Sequence, residues 1–247
     1  FAIGAFNAGG LESLRAIAGA AKKLESPIFV EVSPGEEKYL GLQNFVSLVN
    51  NLKEEYGIQM FLNLDHGEDI NIITNAIELG FDLVHFDGSK LPLEENIRLC
   101  QEVVTMAHSK GVLVEGEMDQ IGKKITDPQL AKKFVEETGV DIFAVSNGNK
   151  HGMGEDEKLD LERLKEINTM LPETLFSLHG GSGVAPEDVA AAIKLGIVKI
   201  NVNTELRVAY RVTLENVLRG DPEEVAMYKL LPPVIEAVEK VVEEKIL

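Results

Sequence analysis

A chain of 247 residues with 45% hydrophobic and 26% charged side chains is long enough for one large barrel-type core. Its net charge of −17 argues against nucleic acid or an anionic membrane surface as partner. The single cysteine, Cys100, excludes an intrachain disulfide, no apolar run approaches the roughly 20 residues of a membrane span, and no signal peptide is visible, so the sequence reads as a soluble, cytoplasmic protein.

Eight short apolar runs alternate with longer amphipathic stretches. The runs fall at residues 2–6, 28–32, 60–64, 83–86, 112–115, 142–146, 175–178 and 198–202. Helical periodicity covers 11–24, 41–56, 70–79, 94–108, 128–138, 159–170 and 186–195. Asp127-Pro128 and Ala185-Pro186 place proline where a helix has no use for an N–H, and Gly80, Gly111, Gly139 and Gly196 each close a helix before the next strand. Eight βα units in series predict an α/β fold, a (β/α)₈ barrel in one domain over residues 1–247, ahead of a doubly wound open sheet. Beyond the eighth strand the chain runs through 206–218, breaks at Gly220-Asp221-Pro222 and ends in 234–246. That surplus reads as one extra helical element, suited to packing against a second copy.

In such a barrel the active site forms at the C-terminal ends of the strands, where this chain is repeatedly polar. Strand three, Phe61-Leu62-Asn63-Leu64, ends in Asp65-His66-Gly67, and strand four in Asp87-Gly88-Ser89. Strand five carries Glu115 and Glu117, which share one side at period two and must pair, protonate or meet a cation. Strand six leads to His151-Gly152, and strand seven to His179-Gly180-Gly181-Ser182-Gly183. Strand eight ends in Asn201-Val202-Asn203-Thr204. Asp65 could cap the following helix and His66 could be a satisfied core histidine. Three imidazoles on three strand ends nevertheless suit a catalytic zinc with one position left open. His85 and His108 stay outside that set and read as structural. Gly180 and Gly181 let backbone amides approach an anion, with Ser182, Asn203 and Thr204 as further donors; a Cβ at Gly181 is expected to hold the anion away.

These residues resemble the class II, metal-dependent fructose-bisphosphate and tagatose-bisphosphate aldolases. The resemblance is carried by Ala5-Phe6-Asn7, Ser33-Pro34-Gly35, Leu64-Asp65-His66-Gly67, Asp87-Gly88-Ser89-Lys90-Leu91-Pro92, Val114-Glu115-Gly116-Glu117, His151-Gly152, Leu178-His179-Gly180-Gly181-Ser182-Gly183 and Lys199-Ile200-Asn201-Val202-Asn203-Thr204. It implies a Zn²⁺ held by His66, His151 and His179, with Asp87 and Glu117 able to hold a second or displaced cation, divalent or monovalent. It implies Asp65 as the acid that handles the proton on the aldehyde-derived oxygen and Asn201 as the residue orienting the enediolate. Ser33, Gly152, Gly180, Gly181, Ser182, Asn203 and Thr204 would bind the phosphorylated sugar. The activity implied is reversible cleavage of a ketose bisphosphate, foremost fructose 1,6-bisphosphate, to dihydroxyacetone phosphate and an aldehyde such as glyceraldehyde 3-phosphate. A homo-oligomer, dimer or tetramer, is the implied assembly. The chain departs from the family where Met118 to Pro128 replaces a longer loop carrying a proton-abstracting acid, and where Glu36 and Glu37 follow Ser33-Pro34-Gly35. A metal-dependent hydrolase on the same barrel and a non-catalytic aldolase-like subunit are the alternatives.

Overall fold

A computed structural model of the chain describes residues 1–150, 152 and 158–246. Its strands are β1 (Ile3–Asn7), β2 (Ile28–Val32), β3 (Met60–Gly67), β4 (Leu83–Asp87), β5 (Leu113–Glu117), β6 (Ile142–Ala144), β7 (Leu175–Leu178) and β8 (Ile197–Val202). Each pairs in parallel with its sequence neighbour and β8 pairs with β1, so the sheet closes into the expected barrel. The helices are α1 (Leu11–Leu24), α2 (Pro34–Leu40), α3 (Leu42–Tyr56), α4 (Ile70–Glu78), α5 (Leu93–His108), α6 (Pro128–Thr138), α7 (Leu161–Met170), α8 (Pro186–Lys194), α9 (Thr204–Gly220), α10 (Met227–Leu230) and α11 (Pro232–Ile246).

Local chemistry explains the boundaries. The Asp127 carboxylate accepts from the Gln129 and Leu130 amides, Pro128 fills the first helical position, and Gly139 closes α6 in the left-handed conformation at φ 71°. The α2 helix was not anticipated. Ser33 and Glu36 form a capping box there, each side chain satisfying the other's backbone amide, and this starts a helix at Pro34. The C-terminal surplus ends in the expected extra helix, α11. Val234, Val238 and Val242 of α11 are buried, and the helix packs against α1, α9 and β1 of its own chain. The outlying helix is α9, in which Leu206 is buried while Val208, Val212 and Leu218 are exposed.

Strand alternation separates two interiors. Phe6, Val30, Leu64, Val84, Phe86, Val114, Phe143 and Phe176 join the apolar layer between sheet and helices. On the alternate positions, Asn7, Glu31, Asn63, Asp65, His85, Glu115, Ser177, Lys199 and Asn201 make the barrel axis largely polar, while β6 contributes the apolar Ile142 and Ala144 there. Lys199 lies fully buried there, with Nζ 2.9 Å from Glu115 Oε2, 2.9 Å from Asn201 Oδ1 and 3.4 Å from Glu31 Oε2. Burial pushes the Glu31 carboxyl up to about 8, against the pull of Lys199. Burial also opposes the Glu115 charge, but Lys199 above all outweighs it and holds that carboxyl well below its usual range. The barrel floor is therefore one buried ion pair, Lys199 with Glu115, set among amides. Removing one partner of such a pair strands the other charge, at a cost of roughly 3–5 kcal/mol. Lys199→Met is expected to lower unfolding free energy by that order in urea titration; a loss no larger than that of a surface substitution refutes the assignment.

Candidate metal centre and anion cradle

Two adjacent residues of one strand normally face opposite sides of a sheet. Asp65 and His66 nevertheless both line the same cavity. The register explains this: Leu64 pairs with Val84, but Gly67 pairs with Phe86, so β3 carries one extra residue across that interval. His66 sits at φ 49°, left-handed, one of two non-glycine residues with positive φ among those described. Such a conformation costs on the order of 1–3 kcal/mol and persists only where surroundings fix it.

The bulge brings His66 Nε2 to 3.1 Å from His179 Nδ1. Zinc–nitrogen bonds of about 2.0–2.1 Å at a tetrahedral angle set two ligand nitrogens roughly 3.3 Å apart, so this spacing fits a shared ion. Behind each ring stands a carboxylate. His179 Nε2 is 2.6 Å from Glu115 Oε1, and His66 Nδ1 is 2.9 Å from Asp87 Oδ2 and 3.4 Å from Glu117 Oε2. A carboxylate on the far nitrogen fixes tautomer and ring orientation and raises ligand basicity. Burial pushes the His179 imidazole down to about 4, against Glu115, so it is neutral at physiological pH as a ligand must be. For His66 burial works the same way, but the Asp65 charge and the Asp87 hydrogen bond outweigh it and raise the ring above its ordinary value. Asp65, His66, His85 and His179 present ligand atoms within 4.8 Å of one another, and His66, Asp87 and Glu117 form a second such group. His151, the third expected ligand, lies outside the described residues.

Asp65 is nearly buried, and its two oxygens accept from Asn7 Nδ2 at 3.0 Å and Asn201 Nδ2 at 3.1 Å. Burial raises its carboxyl, but the His66 charge leads the groups that hold it well below the usual range. Asn201 is itself fixed by Lys199 and by Glu31, 2.9 Å from its Nδ2. Asp65 therefore stands as a carboxylate held by two amides beside the imidazole pair.

A cavity of about 470 Å³ opens over these groups. Gly180, Ser182, Asn203 and Thr204 line it at the β7 and β8 ends, Gly152 from the connection after β6, and Ser33 at the β2 end. Two expectations need correction. The Gly181 amide donates to Asn201 O at 2.9 Å, and a Cβ there would lie 2.7 Å from Ile200 Cγ2. Gly181 is thus small so that β7 can press on β8, and its N–H is already committed. Ser33 gives both its amide and its hydroxyl to Glu36 Oε2, each at 2.8 Å, while Arg207 Nη2 reaches Glu36 Oε1 at 2.6 Å.

His85, read from the sequence as structural and outside the ligand set, lies against that set. It is fully buried, with ring centroids 4.7 Å from His66 and 4.8 Å from His179. The signal was parity: residues 85 and 87 share a strand face, so a site containing Asp87 contains His85. His108 remains outside the cluster, paired with Asp141 at 2.8 Å on the surface.

The whole chain, residues 1–247, matches the family described as fructose-bisphosphate aldolase class-II. A fructose-bisphosphate aldolase of Streptococcus pneumoniae serotype 4 is 38% identical over 268 residues, covering 100% of this chain and 91% of that protein. One from Streptococcus pyogenes serotype M1 is 37% identical at the same coverage. Among solved structures, the YdjI aldolase of Escherichia coli K12 superposes with a TM-score of 0.87 at 32% identity, over 100% of this chain and 90% of that one. The fructose-bisphosphate aldolase of Campylobacter jejuni gives 0.86 at 25% identity, over 99% and 89%.

The carboxylate behind His179 yields a measurable consequence. Groups that orient a ligating imidazole are typically worth 10–100-fold in metal affinity. Glu115→Gln is expected to weaken divalent-metal binding by about that factor in chelator competition; unaltered affinity in a folded variant removes Glu115 from the metal centre.

Proposed function

The chain belongs to the class II fructose-bisphosphate aldolase family and is an aldehyde-lyase, and we propose that it uses a zinc ion to split fructose 1,6-bisphosphate or a related ketose bisphosphate. The observation that carries this reading is the facing pair His66 Nε2 and His179 Nδ1, 3.1 Å apart beside the Asp65 carboxylate. His151 completes the ligand set in this reading. When bound, the ion supplies Lewis-acid polarisation of the substrate ketone.

The chain's own residues do the rest. In the cleavage direction the hydroxyl on the carbon beyond the breaking bond gives its proton to Asp65, the C–C bond opens, and an aldehyde leaves. In the condensation direction Asp65 returns that proton. Asn7 and Asn201 hold the two carboxylate oxygens, so the acceptor stays aimed at one position. Asn201 orients the carbon fragment left behind. Ser182, Asn203 and Thr204, with the backbone at Gly152 and Gly180, hold the phosphate against the field of a −17 protein. Asp87 and Glu117 orient His66 and offer a position for a second cation. The same reading includes a homo-oligomer, supported by the exposed valines of α9, and a cytoplasmic setting, supported by one buried cysteine. Among the described residues no helix is long and apolar enough to cross a membrane.

A cleavage assay on fructose and tagatose bisphosphates with metal analysis of the same sample tests the reading. Turnover of neither substrate by metal-loaded protein sinks it. General acid–base steps typically contribute about 10²–10⁴-fold, so Asp65→Asn should lose turnover by that order while keeping its metal. A variant that unfolds or sheds its metal shows Asp65 to be structural. Hydrogen bonds to charged groups contribute roughly 1.5–3 kcal/mol, so Ser182→Ala should raise KM for a phosphorylated ketose about tenfold to a hundredfold. Unchanged KM in that variant moves the phosphate elsewhere.

A further inference from the structure

The bulge in β3 removes one amide from the β3–β4 ladder, and that amide belongs to His66. A buried N–H without an acceptor is costly, so the group must be satisfied by something other than a strand carbonyl. The structure supplies an imidazole: His66 N–H donates to His85 Nδ1 at 3.1 Å. Gly67 allows β3 to come this close, since a Cβ there would lie 2.9 Å from His85 O.

The bond also fixes the tautomer of His85. A ring nitrogen that accepts from an amide carries no proton, so the neutral ring has its proton on Nε2. Nε2 faces Glu117 Oε2 at 3.4 Å, and neither atom has a hydrogen-bond partner among the described residues. With Nδ1 committed to the amide and Nε2 carrying the proton, His85 has no lone pair left for a cation, although it lies within the cluster of Asp65, His66 and His179.

We propose that His85 is a positioning residue for the metal centre: its Nδ1 holds the His66 amide in the bulge, its Nε2–H faces Glu117, and it does not itself bind the ion. The proposal rests on the metal reading of His66 and His179 given above. Through β4 one side chain thus braces both the backbone of His66 and the carboxylate behind its ring.

Two amide substitutions separate the two ring nitrogens. Asn places its carbonyl oxygen near the Nδ1 position and lacks an atom at Nε2, whereas Gln reaches the Nε2 position and leaves no acceptor for the His66 amide. Cobalt titration of the chelator-stripped full chain against a competing indicator reads the affinity directly. His85→Gln is expected to weaken cobalt binding by about 10–100-fold, and His85→Asn to restore it to near the parent value. Equal losses in both variants, with a changed cobalt absorption spectrum, make His85 a ligand and overturn the proposal. Both variants matching the parent leaves His85 as packing and overturns it equally. A parent that binds neither cobalt nor zinc overturns the metal reading and this inference together. Should the variants not fold, the imidazole nitrogen NMR spectrum of the zinc-loaded parent decides. An unprotonated Nδ1 and a protonated Nε2 at His85 are expected; a proton on Nδ1 or a metal-bound Nε2 overturns the assignment.

Discussion

A strand delivers every second side chain to the barrel axis, and this site needs two consecutive ones. The extra residue in β3 resolves that conflict by letting Asp65 and His66 face the same cavity. The rest of the centre is arranged around this local fault. Asp65 stays in step with Asn63 and with the floor of Asn201 and Glu31, while His66 is turned forward to meet His179. The left-handed backbone of His66 carries a conformational cost, and its hydrogen bond to His85 replaces the ladder contact the bulge removes.

The barrel axis shows how an acidic protein keeps a site able to hold both a cation and an anion. Lys199 is buried with Glu115, and Glu31 is driven toward its neutral form, so the floor carries fewer free charges than its residue types suggest. Glu115 serves two partners at once, the lysine through Oε2 and His179 through Oε1. The carboxylates therefore collect behind the imidazoles, where a divalent ion's charge is offset. The neutral donors collect on the other side of the mouth, at the ends of β7 and β8. In the proposed reading, an anion there is held by short-range hydrogen bonds, which act where the long-range field is unfavourable.

Much of this was legible in the sequence because it follows from period. The eight apolar runs and their glycine and proline boundaries predict the barrel, and Asp127-Pro128 with Gly139 frames a helix that the structure places at Pro128–Thr138. Polar residues at six strand ends mark the mouth. What was not legible depends on tertiary register. No local pattern announces the bulge at His66, since a one-residue shift between β3 and β4 is a property of two strands together. The amide of Gly181 reads as available until β8 supplies Asn201 O, and Ser33 reads as a free donor until Glu36 folds back in the capping box. His85 is a different kind of miss. Residues 85 and 87 are two apart, so the alternation that sends Asp87 to the mouth sends His85 to the same face of β4.

The strand that ties these observations together is β5. Glu115 and Glu117 are two apart, so they occupy one face at successive levels of the barrel. The lower one braces His179 and the upper one faces both His66 Nδ1 and His85 Nε2. Register fixes the match: His85 lies opposite Glu115, and Asp87 opposite Glu117. A slip of one residue in β5 would turn both carboxylates into the apolar layer, leaving His179 without its acid and His66 with Asp87 alone. Gly116 between them guards against that slip, because a Cβ there would meet Val140 at 2.8 Å and Phe134 at 3.0 Å. The glutamates stand behind the clustered rings, and the glycine between them lets the helix layer close tightly enough to hold the strand in register.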